Sequence, residues 1–290
     1  MMRVAVIYAT VGRATILAPV LDRLRQQTRL PDCVIVSAVT PEDVVGTEAS
    51  PLCPEVIYGP KGLCAQRNRA LAAVDGQADI VLFFDDDFLP ANDYLAEMVA
   101  LFEEQPDLVG VDGHVIADGA TNAGYSFDDG LRILAGDVRP VPPIISHRIA
   151  LYGCNMAIRV DAARDLSFDE RLPFYGWLED IDFTHRLSKR GTLIKSSRLA
   201  GVHLATKGGR TSGLRFGYSQ VANPIYMWRK GSIPTGLALT QTMRNIASNA
   251  VRSIRPESYV DRRGRLRGNL LGLFDLLTAR LDPERILVMD

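Results

Sequence analysis

Three consecutive carboxylates, Asp85-Asp86-Asp87, follow directly on the apolar run Val81-Leu82-Phe83-Phe84. Acids packed this tightly repel one another and raise each other's pKa unless a cation compensates them. A hard divalent metal that also carries phosphate oxygens is their natural partner. The same triplet could instead be an acidic cap on the amphipathic segment that begins near Ala91. A second cluster, Glu179-Asp180-Ile181-Asp182, stands at a helix start. Free backbone N–H groups and the helix dipole can hold Asp180 ionised there, which suits a carboxylate that accepts a proton from a hydroxyl. The plainer alternative is that these are ordinary helix-start acids. His203 ends the apolar stretch Leu199-Ala200-Gly201-Val202. It is either structural or, since imidazole ligates Mn²⁺ beside carboxylates, the completion of a metal site begun by Asp87.

The elements that must position these groups alternate. Val4–Ala9 reads as a strand, a helix runs from about Ala14 to Gln27 with Ile16, Leu17, Val20, Leu21 and Leu24 at helical spacing, and Cys33–Val39 is a second apolar strand. A short strand at Val56-Ile57-Tyr58, a helix over Leu63–Val74 and a strand at Ile80–Phe84 continue the pattern. This alternation predicts an α/β domain with a mostly parallel sheet flanked by helices. Ligands of such sheets sit beyond the carboxyl ends of the strands, so Thr10–Arg13, Ser37 and Asp85–Asp87 should converge on one crevice. A helix over Tyr94–Glu104 and a strand near Leu108–Ile116 come next. The stretch from Asp118 to His147, rich in Gly, Asp and Pro, reads as a long irregular insertion. Gly153–Arg159 predicts a short strand, Asp161–Asp165 a helical turn, and Glu179–Arg190 a helix closed by Gly191. Two strands, near Leu193–Lys195 and Leu199–Leu204, close the main domain. Beyond about Gly208 the texture turns helical and basic, which divides the chain into a domain over residues 1–210 and a mainly helical extension over 211–290.

The 33 basic and 34 acidic residues nearly cancel, so no global field points to nucleic acid. Cys33, Cys53, Cys64 and Cys154 are scattered without zinc-type spacing and read as reduced thiols of a cytoplasmic protein. The apolar opening ends by Val11-Gly12-Arg13 and is read as a first strand, not a signal peptide.

Five segments, in order, resemble family 2 glycosyltransferases of the GT-A fold. Phe83–Pro90 is similar to their DxD segment, and Glu179-Asp180-Ile181-Asp182 with Arg186 to their acceptor-side E-D-x-D-x-x-x-R motif. Gly62–Leu71 resembles their R-N helix, Gly153–Arg159 their G-x-N-x-x-x-R strand, and His203 falls where members often place a metal-binding histidine. The resemblance covers roughly residues 2–210. It implies a GT-A (nucleotide-diphospho-sugar transferase, Rossmann-like) sheet and a metal-dependent, inverting transfer of sugar from a nucleotide diphosphate sugar to a glycan or lipid-linked acceptor. By the same resemblance Asp85, Asp87 and His203 would hold Mn²⁺ or Mg²⁺, with Asp86 near the ribose or sugar. Arg67, Thr10, Arg13 and Ser37 would lie along the nucleotide. Asp180 would be the general base, and Trp177 and Glu179 would lie on the acceptor side. The second strand ends in Ser37-Ala38-Val39-Thr40 where the family usually has an Asp, so the base is left open.

Two rival functions remain at this stage. A sugar-1-phosphate nucleotidyltransferase would show a Gly-rich triphosphate loop after the first strand, for which Thr10-Val11-Gly12-Arg13 is sparse. A nucleotide-sugar binding protein without catalysis would have no need of both Asp180 and the triplet. In the extension, six arginines between Arg252 and Arg267 face only Glu257 and Asp261, next to a leucine-rich stripe at Leu270–Leu277. Residues 252–277 are therefore a candidate for peripheral contact with an anionic inner membrane face, or for a homodimer seam. The basic, Gly-rich stretch 208–213 is a candidate cover for a bound diphosphate or a solvated linker.

Overall fold

The computed structural model describes residues 1–74, 76–206 and 212–289. They fall into two compact units: Met1–Lys61, Ala65–Ser167 and Phe183–Gly209 form one, and Gly62–Cys64, Phe168–Asp182 and Arg210–Asp290 the other. The division follows space, not a single point along the chain.

In chain order the elements are β1 (Val4–Ala9), α1 (Ala14–Leu24), β2 (Cys33–Ala38), β3 (Glu55–Tyr58), α2 (Leu63–Ala73), β4 (Ile80–Asp85), β5 (Phe88–Pro90), α3 (Tyr94–Glu104), β6 (Leu108–Asp118), α4 (Phe127–Ala135), β7 (Ile145–His147), β8 (Asn155–Arg159), α5 (Val160–Ala163), α6 (Glu179–Leu187) and β9 (Thr192–His203). The sheet of the first unit has the order β3-β2-β1-β4-β8-β6-β9-β5, with β7 paired to β9. Its strands run mostly parallel where the chain alternates with helices: β3, β2, β1 and β4 are parallel neighbours, as are β6 and β9. β8, β5 and β7 join antiparallel.

The central parallel strands β1, β2 and β4 are almost wholly apolar because both their faces are covered. Val4, Val6, Tyr8, Ile80, Leu82 and Phe84 pack with Leu17, Val20 and Leu21 of α1 and with α3 in one core. The alternate residues Ala5, Ile7, Val81 and Phe83 are equally buried on the other face, where Arg67 of α2 lies over the Phe83 ring at 5.6 Å.

Three local expectations are revised. The insertion expected from Asp118 to His147 is not irregular throughout. It holds α4, capped by the Ser126 hydroxyl accepting from the Asp129 N–H, and the edge strand β7. The two strands expected near 193–195 and 199–204 are one strand, β9, whose polar middle is satisfied by partners distant in sequence. Ser197 binds the Ile144 N–H, and Arg198 pairs with Glu97 and Glu104. The helix expected to Gln27 ends at Leu24.

The second unit is built on α7 (Gly213–Arg229), α8 (Thr235–Arg252) and α9 (Arg262–Leu277), followed by a short 3-10 segment at Pro283–Val288. α9 meets α7 at glycines: a Cβ on Gly268 would collide with the backbone of Leu214 and Tyr218, and one on Gly217 with the backbone of Arg265. An amide ladder registers α8 on this pair. Asn245 accepts from Gln220, while Asn249 donates to Gln220 and to Asn269, which in turn donates to the Gly217 carbonyl. Among the described residues no helix is long and apolar enough to cross a membrane.

Candidate functional site

The parallel register places Ala9 beside both Ser37 and Asp85, so the residues that follow these three strand ends share one edge of the sheet. Thr10 N–H donates to the Ser37 carbonyl at 3.1 Å. Gln66 of α2 locks the pair by donating to the carbonyls of Thr10 (2.9 Å) and Ser37 (2.8 Å). Ser37 itself is fully buried.

The three acids are then sorted by their partners. Asp86 is buried, with one carboxylate oxygen accepting from the Thr10 hydroxyl at 2.7 Å and the other from Arg13 at 2.8 Å. Asp85 is the most open of the three and accepts from Arg67 at 3.2 Å. Arg67 also donates to the Gly153 carbonyl at 2.9 Å. Asp87 Oδ2 accepts from the N–H and hydroxyl of Thr206 (2.9 and 3.0 Å) and from Arg13 (3.2 Å), whereas its Oδ1 is buried with no hydrogen-bond donor.

His203 reaches this edge because β9 lies between β6 and β5: Asp118 and Phe88 are its register partners. Its Nδ1–H donates to Asp118 Oδ1 at 2.9 Å, and the Tyr152 hydroxyl donates to Asp118 Oδ2 at 3.1 Å. An ionised carboxylate can only accept, so Asp118 fixes the proton on Nδ1 and leaves Nε2 as the ligand nitrogen. Nε2 lies 3.6 Å from Asp85 and 3.4 Å from the unbonded Oδ1 of Asp87. One ligand atom from each of Asp85, Asp87 and His203 falls within 4.8 Å of the others. The donor set, two carboxylates and an imidazole, fits Mn²⁺ or Mg²⁺, and a buried oxygen lacking a donor is what a cation would satisfy.

Electrostatics follow the same division. Burial alone would lower the His203 pKa. The hydrogen bond to Asp118 and the nearby charges of Asp87 and Asp85 outweigh it and raise the value to about 10. Burial raises Asp86 above the usual carboxylate range despite Arg13. For Asp87 burial is overcome by His203, Arg13 and the Thr206 N–H, which hold it low. Asp118 is likewise held low by His203 against burial.

The profile of the family described as glycosyl transferase family 2 matches residues 5–165, more than half of the chain. The chain belongs to glycosyl transferase family 2. No curated protein matches it. Solved structures do, at the level of fold. A mannosyltransferase from Pyrobaculum calidifontis, solved with GDP-Man and Mn²⁺, shares 17% identity with a TM-score of 0.56 over 99% of this chain and 85% of its own. S. aureus TarS 1-349, solved with UDP-GlcNAc, shares 16% at a TM-score of 0.60 over 98% and 83%. GalNAc-T7, solved with UDP, GalNAc and Mn²⁺, shares 14% at 0.55, covering 88% of this chain and 58% of its own. The fold is thus GT-A, and the chain is a glycosyltransferase.

In this family 2 chain Trp177, Glu179, Asp180 and Asp182 lie in the second unit and Arg186 in the first. Asp180 is half-buried, and its carboxylate accepts from the Ile181 N–H at 2.8 Å. Glu179 is buried. Trp177 sits between Tyr175 (ring centroids 6.4 Å) and Phe216 (5.1 Å), and its carbonyl accepts from Asn223 at 2.9 Å. Asp182, fully buried, accepts from the Ser232 hydroxyl and pairs with Lys230 at 2.8 Å. The segment entering α6 is strained: Phe174 and Leu178 hold φ of +57° and +72°, a geometry that concentrates at functional sites in non-glycine residues. Residues 208–211 of the basic stretch lie outside the described residues.

Sequence reasoning passed over Asp118, Tyr152, Gln66, Asp43 and Thr206. Asp118 carried a legible signal, since Val115-Ile116-Ala117-Asp118 repeats the pattern of an apolar strand ending in an acid. Asp43 holds the β1–α1 turn from 31 residues away by accepting from the Gly12 N–H at 2.5 Å, which only the fold reveals.

Proposed function

We propose that this glycosyltransferase moves a sugar from a nucleotide diphosphate sugar to a hydroxyl of a glycan or lipid-linked acceptor, by a single displacement with inversion. The observation that carries the reading is the cluster of Asp85, Asp87 and His203, with a donor-less buried oxygen on Asp87, in a family 2 chain. These three would hold Mn²⁺ or Mg²⁺, which when bound supplies charge neutralisation for the departing diphosphate. Relatives of the same fold, solved with GDP-Man, UDP-GlcNAc and Mn²⁺, support the donor class.

The chain's own residues divide the remaining work. Asp118, steadied by Tyr152, keeps the His203 proton on Nδ1 so that Nε2 stays available. Thr10, Arg13 and Arg67 would lie along the nucleotide, while Ser37, expected there too, is fully buried and supports Thr10 from beneath through its carbonyl. Arg13 and Arg67 also bring fixed positive charge to the edge where an anionic donor must dock. Asp86, saturated by Thr10 and Arg13, holds the β1–α1 turn in place and thereby shapes the donor edge next to the sugar. Asp180 is the general base that takes the acceptor hydroxyl's proton, with Trp177 and Glu179 on the acceptor side.

The test is a thermal-shift panel of UDP, GDP, ADP and their sugars with and without Mn²⁺, since a ligand that binds only the native state raises its melting temperature. A metal-dependent rise with one nucleotide class, lost in Asp87→Ala, is expected. Stabilisation by none of them would defeat the proposal.

A further inference from the structure

The three helices of the second unit leave an unusual surface. α8 buries Ala238, Thr242 and Asn249, and α9 buries Gly268, Asn269, Gly272 and Asp275. With these faces occupied, several large apolar residues of both helices point to solvent. On α8 they are Leu239, Met243 and Val251, followed by Ile254 just past the helix end at 78% exposure. On α9 they are Leu270, Phe274 and Leu277, the last at 86%. The first set is spaced by four, eight and three residues, multiples close to whole helical turns, and Leu270, Phe274 and Leu277 fall on one side of their helix, so each helix exposes an apolar stripe.

The charge on these stripes has one sign. α8 contains no acidic residue, and the only one in α9, Asp275, is buried and paired with Arg285. Arg244, Arg255, Arg263 and Arg267 are exposed, with no carboxylate partner among the described residues. The acids nearest in sequence are engaged: Glu257 is taken by Arg252 and Arg262, and Asp261 caps α9 by accepting from the Gly264 N–H.

We propose that the α8–α9 face is a docking surface for an anionic lipid bilayer. Exposed leucine, methionine and phenylalanine enter the interface while the arginines meet lipid phosphates and anionic headgroups. A second copy of the chain is the disfavoured occupant, because a two-fold contact through this face would set arginine against arginine while Glu257 and Asp261 are already engaged within the chain. The surface extends the one legible in the sequence, residues 252–277, to the whole outer side of α8. It stands independently of the sugar-transfer reading.

The experiment is co-sedimentation of the full chain with vesicles of phosphatidylcholine alone or with about 30% phosphatidylglycerol. We expect binding at least about tenfold stronger to the anionic vesicles, weakened by raised salt. Arg263→Gln with Arg267→Gln should weaken it by about tenfold or more, and Phe274→Glu should abolish it. All three positions are exposed, and an unchanged melting temperature in each variant confirms an intact fold. Equal binding to both vesicle types, or none to either, overturns the proposal. So does a concentration-dependent dimer in solution that Phe274→Glu disperses, since the face would then belong to a second copy.

Discussion

Raising the pH should tighten divalent-metal binding at Asp85, Asp87 and His203 steadily across the neutral range. A ligand imidazole must be neutral, while the surrounding acids, acting against burial, hold the His203 pKa at about 10. An ordinary histidine stops competing with metal above about pH 6.5. Here the proton competes well beyond that, so the apparent association constant should rise about tenfold per unit between about pH 7 and 9. Two units amount to about a hundredfold, or about 3 kcal/mol. The metal-free protein should show the opposite trend. A folded-state pKa raised from 6.5 to about 10 contributes stability that is fully present below pH 6.5 and is lost as pH rises through 10. At most this is about 5 kcal/mol. Titration calorimetry with Mg²⁺ in two buffers of unlike ionisation enthalpy reads both the slope and the proton count. About one proton should leave per metal bound near pH 7.5, and His203→Ala should flatten the dependence. An association constant that stays level from about pH 7 to 9 in the unaltered protein would refute the assignment of His203 as a ligand held protonated by its neighbours.

Asp118→Ala should weaken metal binding by about 10- to 100-fold, because His203 loses the partner that orients it. Unaltered affinity in calorimetry would reduce Asp118 to a strand-end acid. Asp180→Asn should abolish sugar transfer while leaving Mn²⁺-dependent nucleotide binding nearly intact, and near-normal turnover in that variant would remove the base. Gly268→Ala places a methyl against the backbone of Leu214 and Tyr218 and should cost about 1–3 kcal/mol, as overpacking does. In a chain of this size that lowers the melting temperature by several degrees, about 2–4 °C per kcal/mol. A melting temperature that does not move would show that α7 and α9 are free to separate.

The parallel half of the sheet was readable because its strands are continuous apolar runs and its helices show their own period, so local pattern and fold agree. Asp85–Asp87 stood out for the same reason, as charge placed where an apolar strand stops. What escaped was decided by partners far along the chain. Lys195-Ser196-Ser197-Arg198 looks like a break between two strands, yet Ser197 is met by Ile144 and Arg198 by Glu97 and Glu104, so β9 runs through. α4 was hidden by the glycines and prolines around it, although Ser126 and Asp129 stand at cap spacing. The assignment of Gly62–Cys64 and Phe168–Asp182 to the second unit depends on packing with segments far away in sequence, which no local period encodes. The different roles of three adjacent acids were equally illegible, since Asp86 and Asp87 differ only in which of Thr10, Arg13, Thr206 and His203 they meet.

The glycine contact between α7 and α9 has an evolutionary corollary. Where two helices touch through bare backbone, specificity resides in the absence of side chains at Gly217 and Gly268, and the exposed residues of α9, Leu270, Phe274 and Leu277 among them, are released from the task of holding the bundle. Its outward positions can therefore drift, exchanging arginine or leucine for other chemistries, while the scaffold underneath stays untouched. A lineage could in this way retarget the enzyme to new cellular surroundings by repainting one helix.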